Sequence, residues 1–507
     1  MSIDAALLIA RSGLLNTQRA LSNAADNVAN AETEGYTRKR IVTEAVSVGG
    51  QGQGVRSLGP MREVDAALVN EMGKRKSELA AAELRDATLA RINEAHGDPA
   101  KSDGLGDLVA KLRSAFIDLR SDPSQVVKQQ AVVLNSAQTL TDRFNSLNQT
   151  IQEARQSAHD GIVTEIGQIN ATLREIAGLD RSIIERIGSG IPAADLEDKR
   201  DLALDRLSES LGFKAVRQGN GGVLLLGSGG VTITQGENGD AFAVAHALMS
   251  PEAYYGGIGL IPPIMMGGVD VTTMMKGGRL GEYLKLRDQT LPRYQAELDI
   301  CAAEIADRFR AEGLKLFTDG TGTVPNPDVA YSGSNMIGFA GKISINPAVR
   351  SEIRLIRDGT ETIPGTPGFT PNDPATGPAG FTLLIDRILE YSFGDKKSNG
   401  ESWDGFATTG LGPDGSLSSP FGAPRAIEEF AALLTSFQTS DSAAAGAAVT
   451  TAKALSDGLE ARFTRQSRVD VDGEMASLVQ LQNAYAANAR VLSTAQTMWD
   501  TLFGSVR

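Results

Sequence analysis

The segment that decides the fold runs from Pro123 to Ile191 and reads PSQVVKQQAVVLNSAQTLTDRFNSLNQTIQEARQSAHDGIVTEIGQINATLREIAGLDRSIIERIGSGI. No proline follows its first residue until Pro192. Apolar residues recur every seven positions in its first half, at Val126, Val133, Leu140 and Leu147. The register resumes in its second half at Ile162, Ile166, Ile169, Leu173, Ile176, Ile183 and Ile187. Spacings of three and four over this length predict one or two very long helices packed as a coiled coil.

Two features set the expected limits of this helix. Pro123 suits a first helical turn, with Ser121 or Asp122 available as the cap. An unbroken helix of about 60 residues would be about 90 Å long, at 1.5 Å per residue. Gly161 is the predicted break, because an internal glycine costs about 1 kcal/mol relative to alanine. A pair of shorter helices in a bundle is the alternative.

Glycine and proline concentrate in residues 213–270 and 316–425, which hold 30 of the 55 glycines and 14 of the 19 prolines. Short apolar and β-branched runs between these glycines predict strands. The predicted strands are GVLLLGS (222–228), GVTIT (230–234), AFAVAHAL (241–248) and KISI (342–345). These two stretches are therefore predicted to be turn-rich β modules inserted into a helical chain.

The two chain ends each carry one apolar stripe. The N-terminal stripe consists of Leu7, Leu14, Leu21 and Val28, with the smaller row Ile3, Ala10, Thr17, Ala24 and Ala31 beside it. The C-terminal stripe consists of Leu478, Tyr485, Leu492 and Trp499, with Met475, Ala489 and Phe503 beside it. Both are heptad seams typical of helix pairing. The ends either dock on each other or on the chain's own core, or they pair with neighbouring subunits and order on assembly.

The predicted fold class is mixed α and β. A long helical coiled-coil or bundle core is formed by both chain ends and residues 123–187, with the Gly/Pro-rich β modules inserted. We expect four domains in this arrangement. They are a terminal coiled-coil segment (1–60 with 466–507), a helical domain (61–212 with 271–315 and 425–465), a small β-rich segment (213–270) and a β-rich outer domain (316–424).

Composition excludes several classes of function. The net charge of -13 argues against a nucleic-acid partner. Cys301 is the only cysteine, so the chain can form neither an internal disulfide nor a Cys-rich zinc site. No apolar run is long enough for a membrane span, and Asp4 stands where a secretory signal would be basic. Cytoplasm and export without a cleaved signal both stay open at this point.

Sequence patterns for catalysis or cofactor binding are weak. VDVDGE (469–474) resembles a calcium loop, but Arg468 and Val479 occupy ligand positions that should be acidic. GSGG (227–230) lacks the third glycine of a dinucleotide fingerprint. Glu197 and Asp198, with their basic neighbours, are interpreted as a solvated, salt-bridged helix face. We therefore expect no enzymatic activity, no metal and no cofactor.

The stretch ALSNAADNVANAETEGYTRKR (20–40) resembles the N-terminal signature of bacterial flagellar rod, hook and hook-associated proteins. The family motif matches at Asn27, Val28, Ala29, Asn30, Thr33, Gly35, Tyr36 and Arg38. Asparagine favours the end of a helix and Gly35 favours a turn, so we expect the helix to end here and the chain to continue as an extended segment. The other end, EMASLVQLQNAYAANARVLSTAQTMWDTLFGSV (474–506), resembles the partner C-terminal signature.

Interior segments favour the hook-associated members that join hook to filament. These segments are LEDKRDLALDRLSESLG (196–212), GGRLGEYLKLRDQTLPRYQAELD (277–299) and SINPAV (344–349). The resemblance implies an extracellular structural protein of the flagellum, exported by the flagellar type III route without a cleaved signal. It implies as partners copies of the chain itself, the hook protein, a second junction protein, and an export chaperone on the C-terminal helix. The two apolar stripes would form the subunit interface.

Two alternatives accompany this interpretation. The chain could be a hook protein or another rod or hook axial component, although such a protein should lack the long coiled coil and the helix at 196–212. It could also be a flagellum-borne adhesin or enzyme. A binding or catalytic site would then have to lie in residues 213–270 or 316–425.

Overall fold

The structure is a computed structural model that describes residues 3–48, 51–97, 101, 103–121, 126–236, 239–256, 261–378 and 380–505. Pro123 and Asp122, the predicted start of the long helix, lie outside the described residues. The first five helices are α1 (Ile3–Ala29), α2 (Ala66–Ala95), α3 (Leu105–Ser121), α4 (Val126–Gly188) and α5 (Ala194–Ser210). The later helices are α6 (Gly278–Lys285), α7 (Leu291–Ala311), α8 (Pro347–Ser351), α9 (Leu355–Asp358), α10 (Leu383–Arg387), α11 (Ile427–Ser467) and α12 (Val471–Ser505).

The described strands form small antiparallel sheets. A long hairpin pairs β1 (Lys39–Val48) with β2 (Gln51–Arg62). One three-stranded sheet contains β3 (Phe213–Arg217), β4 (Val223–Gly227) and β5 (Thr232–Ile233), and another contains β6 (Phe242–Ala243), β7 (Met265–Met266) and β8 (Val269–Asp270). Two short ladders pair β9 (Phe317–Thr318) with β10 (Ser344–Ile345), and β11 (Thr409–Leu411) with β12 (Leu417–Ser418). The mixed α and β class is therefore confirmed.

Helix α4 is continuous over 63 residues, which confirms the extended form of the predicted long helix. Its first half packs with α3 and α7 in one apolar core, and its second half packs with α5 and α6 in another. The predicted break at Gly161 is wrong. The ring of Tyr283 lies against this glycine, in space that a Cβ atom would occupy. Gly161 is therefore a packing site within an unbroken helix.

Helix α7 is the centre of the larger core, and nearly every side chain from Leu291 to Phe309 is buried. A π-helical turn, Leu286–Thr290, separates α6 from α7, and Pro292 sits at the first helical turn of α7. Thr290 and Leu291 keep right-handed helical dihedrals, so the helical backbone continues through the π-turn into α7. Pro292 has no N–H to donate to the preceding turn, and it lies directly after this local irregularity of the helix.

Residues 316–424 hold little regular β-structure, so the expected β-rich outer domain is corrected. The ladders there have strands of two or three residues, and α8, α9 and α10 are short helices. Apolar residues from this stretch, such as Phe339, Ile356 and Phe406, share the core that surrounds α7. Of the predicted strand at 241–248, only Phe242 and Ala243 are paired. The four-domain division itself stays a prediction.

Candidate functional site: the paired chain ends

Helices α1 and α12 lie side by side and antiparallel. Gly13 of α1 faces Asn488 of α12, so closely that a Cβ atom on Gly13 would lie 3.1 Å from the Asn488 Oδ1. Just beyond the end of α1, the backbone N–H of Arg38 donates to the Ser467 carbonyl at 2.8 Å, immediately before α12 begins. In the single chain, the ends therefore dock on each other.

The predicted stripe residues lie along this pair, but none of them is fully buried. The half-buried residues are Leu7, Leu14, Leu21, Val28, Leu478, Leu492 and Trp499, and Tyr485 is exposed. Apart from Asn27, the buried side chains described in α1 are those of the small row Ala10, Thr17 and Ala24. Small side chains let two helices approach closely, which leaves the larger stripe residues at the edges of the contact. Whether these residues also contact other subunits stays a prediction.

Further apolar side chains of both helices face solvent. On α1, Leu8 is 56% exposed and Leu15 is 46% exposed. On α12, besides Tyr485, the exposed set is Val471, Met475, Val479, Val491, Met498, Leu502 and Phe503. Large exposed apolar surfaces mark interaction sites on soluble proteins. Leu8 and Leu15 were not predicted as interface residues, although their seven-residue spacing, one position after Leu7 and Leu14, is visible in the sequence.

The motif after α1 folds the chain back through the side chain of Asn27, which is 1% exposed. Its Oδ1 accepts from the Tyr36 hydroxyl at 2.9 Å and from the Lys39 backbone N–H at 3.1 Å. Its Nδ2 donates to the Lys39 carbonyl at 2.9 Å, and Asn23 Nδ2 donates to the same carbonyl at 2.6 Å. One amide thus joins the last turn of α1 to the first residue of β1.

Gly35 and Tyr36 complete this turn. Gly35 has a φ of 75°, a left-handed conformation that glycine adopts without strain. Burial, with the charges of Asp198, Asp26 and Glu474, raises the pKa of Tyr36 to about 12. Tyr36 therefore keeps its proton and remains a donor to Asn27 at neutral pH. The Lys39 ammonium lies 3.7 Å from the centre of the Tyr36 ring, a cation–π contact.

Beyond the turn the chain is extended, as expected, and this segment is the first strand of the β1–β2 hairpin, which we did not predict. The hairpin lies on α1, where the Val55 backbone N–H donates to Ser12 Oγ at 3.2 Å. The alternation of Ile41, Thr43 and Ala45 before the glycines near residue 50 was a sequence signal for a hairpin. The N-terminal segment is therefore a helix with a hairpin packed along it.

The charged face of α5 differs from its sequence interpretation. Asp198 and Arg200 are buried, and Arg200 Nη1 lies 2.7 Å from Asp180 Oδ1. Asp198 accepts from Thr37 Oγ1 at 2.5 Å and forms an ion pair with Arg62, whose Nε lies 2.8 Å from its Oδ1. The solvated face that we predicted is wrong for these two residues, because the β1–β2 hairpin and α4 cover them. Glu197 and Lys199 remain partly or fully exposed.

Within the described residues, no group of three or more His, Cys, Asp or Glu side chains could hold a metal ion. None of the helices within the same ranges is long and apolar enough to cross a membrane.

Comparison with protein families gives matches along most of the chain. The family described as "Flagellar hook-associated protein FlgK helical domain" matches residues 89–320. The family "Flagella basal body rod protein" matches residues 7–37, and "Flagellar basal body rod FlgEFG protein C-terminal" matches residues 461–504. The last two matches coincide with the helices of the paired ends.

Curated relatives share one name, "Flagellar hook-associated protein 1". The protein from Escherichia coli (strain K12) is 23% identical, over 97% of this chain and 98% of its own length. The protein from Bacillus subtilis (strain 168) is 22% identical, over 98% and 97%. The protein from Salmonella typhimurium is 26% identical over 69% of this chain, a match that spans 66% of that relative's length. Among solved structures, the flagellar hook junction protein FlgK from Burkholderia pseudomallei aligns at 18% identity with a TM-score of 0.46, over 78% of this chain and 98% of that one.

Proposed function

We propose that the chain is a FlgK-type flagellar hook-associated protein, which joins hook to filament as an axial structural protein assembled through its two ends; its similarity to that family supports this. The observation that carries this proposal is the antiparallel α1–α12 pair with its exposed apolar side chains. Both helices coincide with the rod-protein matches at 7–37 and 461–504. The family places the protein in the flagellum.

Assembly would bury the apolar side chains that the single chain leaves in water. Complete burial of a leucine, valine, methionine or phenylalanine side chain contributes about 1.5–3 kcal/mol. Nine such side chains are exposed on α1 and α12. Even partial burial between subunits would therefore stabilise an assembly, since one pair of helices presents all nine.

The partners and the location follow from this role. We propose as partners copies of the chain, the hook protein and a second junction protein, together with an export chaperone on α12. The chain would leave the cell by the flagellar type III route without a cleaved signal and act outside the cell, at the hook–filament junction. We propose no enzymatic activity, no cofactor, no nucleic-acid partner and no membrane partner.

Leu14→Asp tests the role of the ends. Leu14 is half-buried at the edge of the α1–α12 contact, while the cores around α4 and α7 lie elsewhere in the chain. We expect near-normal thermal melting of the purified monomer, but loss of filaments and release of filament subunits into the medium when the variant replaces the native chain in cells. Burying an unpaired charge at a repeated subunit contact is strongly unfavourable.

Leu248→Asp is the matched control, because Leu248 is 88% exposed in a loop away from both ends. It should leave melting and swimming unchanged. A Leu14→Asp variant that swims normally would remove the N-terminal stripe from the assembly. A variant that unfolds as a monomer would show that Leu14 serves the chain's own fold.

A further inference from the structure

Three consecutive residues after the Asn27 turn point in alternating directions. Thr37 Oγ1 and Lys39 Nζ both reach Asp198 of α5, whereas Arg38 Nε reaches Glu474 of α12 at 2.7 Å. Successive side chains of an extended strand point to opposite sides, so a single tripeptide can hold two elements at once. These residues lie where the terminal helices meet the helical region that contains α5.

Asp198 is the centre of the contact with α5. Lys39 Nζ lies 2.9 Å from its Oδ2, and Arg62 Nε lies 2.8 Å from its Oδ1. Arg62 extends the cluster to Asp201, whose Oδ2 lies 2.7 Å from the Arg62 Nη2. The side chains of Asp198 and Arg62 are 8% and 4% exposed. Both cations come from the β1–β2 hairpin, and both carboxylates come from α5.

Burial makes this cluster sensitive to the loss of any one member. Removing one partner of a buried ion pair is strongly destabilising because it leaves an uncompensated charge. Close backbone contacts flank the cluster. A Cβ atom on Gly35 would lie 3.4 Å from Leu202, and one on Gly59 would lie 2.6 Å from the Pro192 ring. The turn at Gly35 and the hairpin therefore pack closely against Pro192, just before α5, and against Leu202 within α5.

We propose that Asp198 is a positioning residue that holds the unit formed by α1, the β1–β2 hairpin and α12 at one orientation relative to α5. This inference rests on the proposed function, because a fixed orientation lets the exposed stripes of successive subunits meet in one register. Asp198 is buried within the single chain, so its effect on assembly would be indirect. It acts through Thr37, Lys39 and Arg62, while Arg38 and Glu474 transmit the same constraint to α12.

The test measures orientation directly in the full chain. Spin labels on cysteines introduced at exposed Ser22 of α1 and exposed Ser182 of α4 report the distance between the two parts. The native Cys301 is fully buried and stays unlabelled. In the parent protein we expect one narrow distance distribution. Asp198→Asn should broaden it several-fold at a temperature where the helical region is still folded, and should abolish filament assembly in cells.

Asp195→Asn is the matched control on the same helix. Asp195 pairs only with the exposed Arg186 among the described contacts, and its side chain is 55% exposed. It should leave both distance distribution and assembly unchanged. Thr37→Val is a milder second variant in case Asp198→Asn does not fold, because it removes two hydrogen bonds, one to Asp198 and one from Arg62, and no charge. It should give intermediate broadening.

An unchanged distance distribution in the folded Asp198→Asn or Thr37→Val protein would overturn the proposal, and so would normal swimming despite a broadened distribution. Failure of the proposed function looks different. In that case the parent chain itself would not be found at the hook–filament junction by labelled-protein microscopy. The label distances would still decide whether Asp198 fixes the orientation.

Discussion

The side-chain amide of Asn27, in the last turn of α1, hydrogen-bonds both the backbone N–H and the carbonyl of Lys39, the first residue of β1. The sequence motif marks the position, and helix-ending asparagine was a sound expectation from the residue type. Its partners could not be predicted, because Tyr36 and Lys39 reach it only after the chain turns at Gly35. Asn30 shows the contrast, since its Nδ2 donates to the Asp26 carbonyl one turn earlier in the same helix.

Asn27→Asp tests this network. The substituted carboxylate keeps the acceptor for Tyr36 but loses the Nδ2 donor and places a charge beside the Lys39 carbonyl. We expect the free energy of unfolding to fall by about 1–3 kcal/mol, the usual cost of an unsatisfied buried polar group. Amide exchange of the β1–β2 hairpin measures it. Asn30→Asp should change the same rates little, and equal effects of the two substitutions would show that the Asn27 network is not special.

Asp299 of α7 is a buried carboxylate with a structural task. Its Oδ2 accepts from the Tyr331 hydroxyl and the Gly338 backbone N–H, both at 2.7 Å, and its Oδ1 accepts from the Ala340 N–H at 2.8 Å. Burial raises its pKa from 3.8 to about 6. Because the folded state then binds this proton more tightly than the unfolded state, the contribution of Asp299 to stability falls as pH rises from about 4 to about 6.

Asp299→Asn should remove that pH dependence. A shift of about two pKa units corresponds to about 3 kcal/mol. We therefore expect the free energy of unfolding of the parent, relative to that of the variant, to fall by up to about 3 kcal/mol between pH 4 and pH 7. Urea unfolding at several pH values measures both proteins. Parallel pH profiles would show that Asp299 is ionised as easily in the folded chain as in the unfolded one.

Among the elements, α4 was the most predictable. Its apolar register covers both halves, and a long run without proline leaves little alternative to helix. The misplaced break at Gly161 arose because helix propensity was the only information available. The Tyr283 ring that fills the space beside Gly161 comes from α6, far along the chain, and tertiary packing of this kind outweighs propensity.

Two glycines of α4 separate propensity from packing. Gly161→Ala should destabilise the chain by about 1–3 kcal/mol, because the added methyl group overlaps the Tyr283 ring and overpacking exceeds the gain in helix propensity. Gly167→Ala should stabilise it by up to about 1 kcal/mol, because no atom lies within 4 Å of the added Cβ. The melting temperatures of both variants, compared with that of the parent, show whether packing or helix propensity dominates at each site. Stabilisation by Gly161→Ala would mean that the Tyr283 ring moves aside easily.

Elements that depend on distant partners were predicted poorly. The stretch 316–424 is rich in glycine and proline, but its apolar residues complete the core around α7 instead of pairing as long strands. Asp198 looked solvated because its partners Lys39 and Arg62 are more than 130 residues away in sequence. A local charge pattern cannot tell a solvated face from a covered one, so this part of the site required the structure.

Over the whole molecule, burial is distributed unevenly. Helix α7 is buried along nearly its whole length by residues from α3, α4, α11 and the stretch 316–424. The terminal pair instead buries mainly small side chains, such as Ala10, Ala24 and Ala495. The large apolar side chains of the pair stay half-buried or exposed, so we expect the ends to contribute less to the stability of the single chain than α7 does.

Amide hydrogen exchange should therefore show two levels of protection in the monomer. Amides of α7 should open only with global unfolding, whereas those of α1 and α12 should exchange much faster, because a helix with one weak packing partner is marginal in water. In isolated hook–filament junctions, the same α1 and α12 amides should become strongly protected as neighbouring subunits cover Leu8, Leu15 and Val479. If α12 were as protected as α7 in the monomer, the α1–α12 pair would be complete by itself. The energy of assembly would then have to come from another surface.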